Sequence, residues 1–254
     1  MRGLWLVVMV VGCAGTTGTT PGPSDAAVTD AALVLDAGST EDAAVPLTVR
    51  TLVTLGSSST AGAGASREAT RYVNLVATQL GARLVNLGSG GQTVTQVQST
   101  YLPRALEALD AGPRPPNVVD VVTFLPFTDF DRLDANALAN GYDTVLQQLD
   151  PTGAFVVFGV PTIDERYACG SRGDLRGPDG ECYDPALVDD YAEKGDAVRT
   201  MLQGHPLASA ADIPQQQAQH PDWQQPDGHP NDLGHQDIAR HFLVAIRARR
   251  GASQ

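Results

Sequence analysis

Polar clusters at separated places in the chain hold the side chains that could do chemistry. The first, Gly56-Ser57-Ser58-Ser59-Thr60, stops an apolar run and is loosened at once by Gly62 and Gly64. Hydroxyls there suit a nucleophile on a tight turn, a phosphate cradle or an ordinary polar loop. The second, Asn86 to Thr93, is rich in glycine, whose backbone N–H groups can face an anion. The third, Pro126 to Phe130, offers the Thr128 hydroxyl and the Asp129 carboxylate. The last, Pro226 to His235, contains Asp227 and His229. A serine hydroxyl is a weak nucleophile until a base takes its proton. Histidine does so near neutral pH, and a carboxylate orients its ring and stabilises the imidazolium. Fixed donors, often backbone amides on glycine loops, hold the oxyanion of a tetrahedral intermediate. Together these residue types make an acyl-transfer site.

Blander readings stand beside that one. His229 could be a turn histidine capping the next helix, and Gly91 a turn glycine with positive φ, which is compatible with an oxyanion amide. Asp129 can brace its own loop by side-chain-to-backbone hydrogen bonds. Trp223 either lines an acyl or sugar pocket or covers the edge of the core. A nucleotide site is weak, since neither G-x-x-x-x-G-K-[ST] nor G-x-G-x-x-G is present. His235 and His241 suit neither a His-x-x-x-His pair nor one helix face and read as ordinary helix residues. His205 and His220 sit in loops with no partner pattern.

The elements that must position these groups alternate. Leu47 to Leu55, Arg83 to Leu87, Asn117 to Leu125 and Ala154 to Val160 read as strands, the later two nearly continuously apolar, as in strands covered on both faces. Residues 206–213, "PLASAADI", read as a weak fifth strand. Tyr72, Val76 and Leu80 mark a helix. Val94, Val97 and Tyr101 start another, which Pro103 is expected to kink or end, with more helix to Leu109. Further helices carry Leu138, Tyr142, Val145 and Leu149, then Leu187, Val188, Tyr191, Val198 and Leu202. The last begins after Asn231 or Asp232, both good N-caps, and turns Ile238, Phe242 and Ile246 inward. Tyr142 and Phe158 read as core. No hairpin signal or internal repeat interrupts the order. The expectation is an α/β fold, a three-layer α/β/α sandwich with a mostly parallel sheet and right-handed crossovers. Its site would lie at the carboxyl ends of the strands.

With the clusters in this order, the chain resembles the SGNH (GDSL-type) hydrolases, whose fold is flavodoxin-like, over roughly Leu47 to Arg247. Their Gly-Asp-Ser block stands here as Gly56-Ser57-Ser58, which implies Ser58 as nucleophile with Ser57 in place of the aspartate. Gly90-Gly91-Gln92-Thr93 matches the second block and implies the Gly91 amide as an oxyanion donor beside that of Ser58. The Gly-x-Asn-Asp block falls on Pro126-Phe127-Thr128-Asp129, so the Thr128 hydroxyl replaces the asparagine amide on a shorter arm. Asp227-Gly228-His229-Pro230 matches the last block, implying His229 as base and Asp227 as its orienter. The carboxylate lies two positions before the histidine rather than three, and Asp222 is the fallback. The resemblance implies a serine esterase or acyl hydrolase acting on a small-molecule or carbohydrate ester, with no metal or organic cofactor. A catalytically weakened glycan-binding module on the same fold is the alternative that Thr128 and the shortened Asp–His spacing motivate.

The ends and the charge give an address. Arg2 precedes an apolar run from Gly3 to Val11, too short to span a bilayer and shaped like a secretory signal. It ends in Val10-Val11-Gly12-Cys13, which resembles a bacterial lipobox and implies cleavage before Cys13 and lipid on its sulfur; a plain secretory signal or a short anchor that stays attached is the alternative. Residues 1–12 are then a signal peptide and 13–46 a flexible tether poor in large apolar side chains. Residues 47–250 form the hydrolase-like domain. The expected location is the cell envelope, lipid-anchored, with Ala14 after Cys13 favouring an outer membrane. Cys169 and Cys182 flank a polar loop and read as a disulfide, which persists in an exported chain. A formal net charge of −12 disfavours nucleic acid as a partner. Nothing in the sequence sets an oligomeric state.

Overall fold

Runs rich in Val, Leu and Phe build a sheet of five strands covered on both faces. In chain order these are β1 (Thr48–Gly56), β2 (Arg83–Asn86), β3 (Val118–Leu125), β4 (Phe155–Thr162) and β5 (Ala208–Pro214). They pair β2-β1-β3-β4-β5, every pair parallel. The computed structural model describes residues 48–252 apart from 110–111, 113–114, 116, 165, 167, 171–181, 215–220 and 226–227. The signal-peptide, tether and lipidation expectations for residues 1–46, with Cys13, lie outside the described residues, as do Asp227 and His220.

The helices are α1 (Ser58–Ala61), α2 (Tyr72–Leu80), α3 (Val94–Gln96), α4 (Leu102–Leu109), α5 (Phe127–Arg132), α6 (Ala135–Leu149), α7 (Pro185–Leu202) and α8 (Asp232–Ala252). Side chains alternate across a strand, and the core divides accordingly. Val53, Leu55, Val122, Phe124, Val156 and Phe158 pack with Leu102, Leu109, Tyr142, Leu146, Tyr191 and Val198 on one face. Leu52, Val121, Leu125, Phe155 and Val157 pack with Tyr72, Val76, Ile238, Phe242 and Ile246 on the other. The result is a three-layer α/β/α fold. The residues 206–213 expected as a weak strand become β5, whose Pro214 sits at the strand end, where its missing N–H does no harm.

Pro103 does not end its helix, which runs on to Leu109. A π-helical turn, Val97–Tyr101, joins α3 to α4, and the Leu102 N–H reaches back to the Val97 carbonyl. Pro103 thus falls in the first turn of α4, where a proline is tolerated. Side chains cap α6 and α7: Asp134 accepts from the Ala137 N–H and Asp184 from the Ala186 N–H. Cys169 and Cys182 form a disulfide, Cα–Cα 5.0 Å, beside a bridge between Ala168 and Tyr183.

The strand order fixes where a site can form. The chain leaves β1 for β2 on one side and returns to β3 on the other. The crevice at the carboxyl ends of β1 and β3 is therefore the topological switch point. Gly56 is in register with Leu125 there. A Cβ on Gly56 would lie 2.3 Å from Thr60 Oγ1 and 2.6 Å from the Leu125 carbonyl oxygen, so only glycine fits.

Candidate active site

β1 delivers the serine cluster into that crevice and α1 sorts it by exposure. Ser57, Ser59 and Thr60 are buried, and Ser58, the first residue of the helix, stays half-exposed. Thr60 Oγ1 hydrogen-bonds Tyr72 Oη at 2.7 Å, and its carbonyl accepts from Asn86 Nδ2 at 2.9 Å. Gly62 ends the one-turn helix in the left-handed conformation, φ +99°.

The histidine arrives on a loop tied at both ends. Gln224 bridges Pro230, the Gln225 N–H donates to the His229 carbonyl at 2.8 Å, and the Gly228 N–H donates to the Gln225 carbonyl at 2.9 Å. Asn231 then caps α8, its Oδ1 accepting from the Leu233 and Gly234 N–H groups. Asp232 instead accepts from Ser66 N, Ser66 Oγ and Thr70 Oγ1. These hydrogen bonds hold its carboxyl below the usual range, although burial acts the other way. Between these ties His229 Nε2 lies 2.9 Å from Ser58 Oγ, across 171 positions of sequence. His229 Nδ1 is buried. With the ring proton on Nδ1, Nε2 is placed to accept the serine proton.

The glycine turn after β2 is stitched to the end of β1. Ser89 N–H donates to the Gly56 carbonyl at 3.0 Å. Buried Gln92 accepts from the Gly56 N–H at 2.7 Å and donates Nε2 to the Leu87 carbonyl at 2.8 Å. Gly88 lies against α1, since a Cβ there would fall 2.6 Å from the Ala61 nitrogen. Gly91 has φ +66°, is exposed, and has open space where a Cβ would project. Its backbone conformation, not crowding, calls for glycine.

After β3, Thr128 and Asp129 enter α5 as buried residues. Asp129 braces the site: Oδ2 accepts from Tyr142 Oη at 2.7 Å, and the carboxylate also accepts from the Val94 backbone. Burial raises its pKa, against the opposing pull of those hydrogen bonds, and burial beside Asp129 pushes the Tyr142 phenol well up. Two residues on, Asp131 Oδ1 accepts from Tyr191 Oη at 2.6 Å. Ser58, His229, Phe127, Asp131, Gln224 and Ile238 are among the walls of one cleft of about 180 Å³. Half-buried Trp223 gives its carbonyl to the Asn231 N–H, and the neighbouring Gln224 forms the cleft wall. Exposed Asp222 likewise gives its carbonyl, to Asn231 Nδ2 at 2.6 Å.

Residue types and spacing do not reveal Gln92 or Asp131, and residue type alone does not reveal the true part of His235. His235 is fully buried: Nε2 donates to the Ala63 carbonyl at 3.0 Å and Nδ1 accepts from the Tyr72 N–H at 3.3 Å. A usable signal was present, because His235 lies four after the Asn231 cap and so faces inward with Ile238 and Phe242. His205 also departs from expectation. It is buried between carboxylates, Nδ1 2.7 Å from Asp150 Oδ2 and Nε2 3.0 Å from Asp143 Oδ1.

No protein-family model and no curated protein matches the chain. Solved structures do. A member of the lipolytic protein G-D-S-L family from Veillonella parvula DSM 2008 aligns over 77% of this chain and 97% of its own, with TM-score 0.53 and 13% identity. LAE5, an alpha/beta hydrolase enzyme from the metagenome of Lake Arreo, Spain, covers 77% and 94%, with TM-score 0.56 and 20% identity. Axe2, an acetylxylan esterase from Geobacillus stearothermophilus, covers 78% and 94%, with TM-score 0.52 and 18% identity. With its parallel sheet and these likenesses, the chain has the SGNH (GDSL-type) hydrolase fold.

Proposed function

We propose that the protein is a serine esterase that cleaves short carboxylic esters through an acyl-enzyme on Ser58. The observation that carries the reading is the 2.9 Å separation of Ser58 Oγ and His229 Nε2 at the switch-point crevice. In the proposed cycle His229 takes the Ser58 proton as Oγ attacks the ester carbonyl, then gives it to the departing alcohol. Water, deprotonated by the same ring, hydrolyses the acyl-enzyme and restores the serine. The Ser58 and Gly91 amides, with the Thr128 hydroxyl, are assigned to the oxyanion, where loss of one donor typically costs about 10²–10³ in rate. Asp227 is assigned to orient His229. Structures of Axe2 variants lacking a serine or a histidine are described as catalytic mutants of that esterase, which supports a Ser–His mechanism on this fold. A cleft of about 180 Å³ suits a short acyl or alcohol group. The test is hydrolysis of p-nitrophenyl acetate with fluorophosphonate labelling. Turnover and labelling that both vanish in Ser58→Ala uphold the assignment, and equal activity in that variant refutes it. Absent labelling with retained glycan binding would instead favour a non-catalytic glycan-binding module.

We further propose export and lipid anchoring through Cys13. The apolar run before it and the tether after it support this reading. Two or more acyl chains, at about 0.8 kcal/mol per buried CH₂, hold a protein firmly on a bilayer. Metabolic labelling with a fatty acid should mark the intact chain and not Cys13→Ala.

A further inference from the structure

The cleft shared by Ser58 and His229 has one feature that the acyl-transfer cycle does not use. Among the described residues lining it, Asp131 is the only carboxylate, and no lysine or arginine lines it. Asp131 is exposed, yet it is not a loosely held surface side chain. Its Oδ1 is fixed by Tyr191 Oη at 2.6 Å, and the Tyr191 ring packs on Phe130 with centroids 5.7 Å apart. The backbone beneath it is fixed as well. Lys194, buried on α7, donates Nζ to the Phe130 carbonyl at 2.6 Å and to Asp190 Oδ2 at 2.6 Å. A single Tyr191 bond leaves the carboxylate with acceptor capacity on its other oxygen. The charge is therefore held at a set place in the wall of a small cleft, facing whatever enters.

We infer that Asp131 is a specificity-determining residue, selecting esters that carry a cationic hydrogen-bond donor and rejecting those that carry a carboxylate. The inference rests on the esterase reading of the same cleft. A cation near Asp131 gains a charge-assisted hydrogen bond, whereas an anion meets like charge with no lysine or arginine among the described wall residues to offset it. Because the carboxylate is partly solvated, the discrimination is modest, on the order of tenfold between opposite charges, and it weakens in high salt.

The test compares kcat/KM for p-nitrophenyl esters of acetic acid, succinic acid (anionic) and β-alanine (cationic). A second series places the charge on the alcohol: ethyl acetate, acetylated glycolate and 2-(dimethylamino)ethyl acetate, whose protonated amine carries one N–H. Each is measured in the intact protein, Asp131→Asn and Asp131→Lys. Intrinsic ester reactivity cancels when the cation-to-anion ratio is compared between proteins. The expected ratio falls about tenfold in Asp131→Asn, which keeps an acceptor for Tyr191, and falls further or inverts in Asp131→Lys. Tyr191→Phe, which frees the carboxylate, should lower the ratio less than Asp131→Asn does. Variants that change all esters by one common factor in both series overturn the inference and leave the esterase reading intact. If the intact protein turns over none of the esters and takes no fluorophosphonate, the esterase reading falls and the inference falls with it.

Discussion

His235 Nε2 donates to the carbonyl of Ala63, joining α8 to the segment that follows the Ser58 helix. The other ring nitrogen accepts from the Tyr72 N–H, one of the first N–H groups of α2 that have no partner within the helix. One neutral imidazole thus fixes two segments, and stacking beside Tyr72, 6.1 Å between ring centroids, holds it there.

That role sets a pH dependence. Burial lowers the His235 pKa, with repulsion from Arg71 and His229 adding to it and the Ala63 bond and Asp232 opposing. Protonation would also remove the acceptor for the Tyr72 N–H. The folded pKa lies below the unfolded value of about 6.5, so the unfolded chain binds the proton first. The contribution is fully present above about pH 6.5 and is lost as pH falls toward the folded pKa. His235→Ala should cost about 1–3 kcal/mol at pH 7.5, read by urea denaturation. It should also flatten the acid side of the Tm–pH curve.

His205 should show the opposite sign. Burial lowers its pKa, but hydrogen bonds and attraction from Asp143 and Asp150 outweigh that and raise it overall. Its stabilisation is therefore complete below about pH 6.5 and disappears as pH rises through the folded pKa. His205→Gln should lower Tm most at pH 5.5 and least at pH 9. The difference should shrink in 1 M salt because the two carboxylates are partly exposed.

The strands and the order of the polar clusters are legible in the sequence because they depend on local patterning. Val118 to Leu125 is apolar over most of its length, and its two faces do meet helices on either side. Ser58 and His229 are legible as residue types that could cooperate. Their approach to 2.9 Å comes from the tertiary fold, which brings the loop before α8 to the end of β1 and which no local pattern encodes. The paired state of His205 was hidden for the same reason, since Asp143 lies on α6 and Asp150 just beyond it. The helix continues past Pro103 to Leu109, and the π turn before it is a register change with no residue signature of its own. Asp129, expected to brace its own loop through backbone groups, instead reaches Tyr142 on α6 and the Val94 backbone on α3, partners that lie far from it in sequence.

Gln92 is expected to govern stability more than its place on a turn suggests. Its amide satisfies the Gly56 N–H and the Leu87 carbonyl in a buried setting. Gln92→Ala leaves both without this partner, at about 1–3 kcal/mol each. Gln92→Glu keeps the acceptor for Gly56 but faces the Leu87 carbonyl with a second oxygen. Both variants should lower the urea midpoint. Both should also slow ester turnover, through the turn that carries Gly91.

Gly64 has φ +84° and lies directly against the histidine loop. A Cβ there would stand 2.2 Å from the Pro230 carbonyl oxygen and 3.1 Å from His229 Cβ. Both contacts are to the backbone or stem of the loop rather than to a flexible side-chain end, so Gly64→Ala must displace the loop. Residue 64 is not itself a donor or base, and its effect would pass through the Ser58–His229 distance. A displacement of about 1 Å can cost on the order of 10² in rate, whereas the strain of a left-handed alanine is about 1–2 kcal/mol. Gly64→Ala should therefore lose kcat by roughly two orders of magnitude, as measured with p-nitrophenyl acetate, while remaining folded by circular dichroism. The same variant should label with fluorophosphonate at a correspondingly reduced rate. A folded Gly64→Ala protein with full kcat would mean that the loop can shift without moving the imidazole from the serine, and the proposed dependence of turnover on that contact would fail.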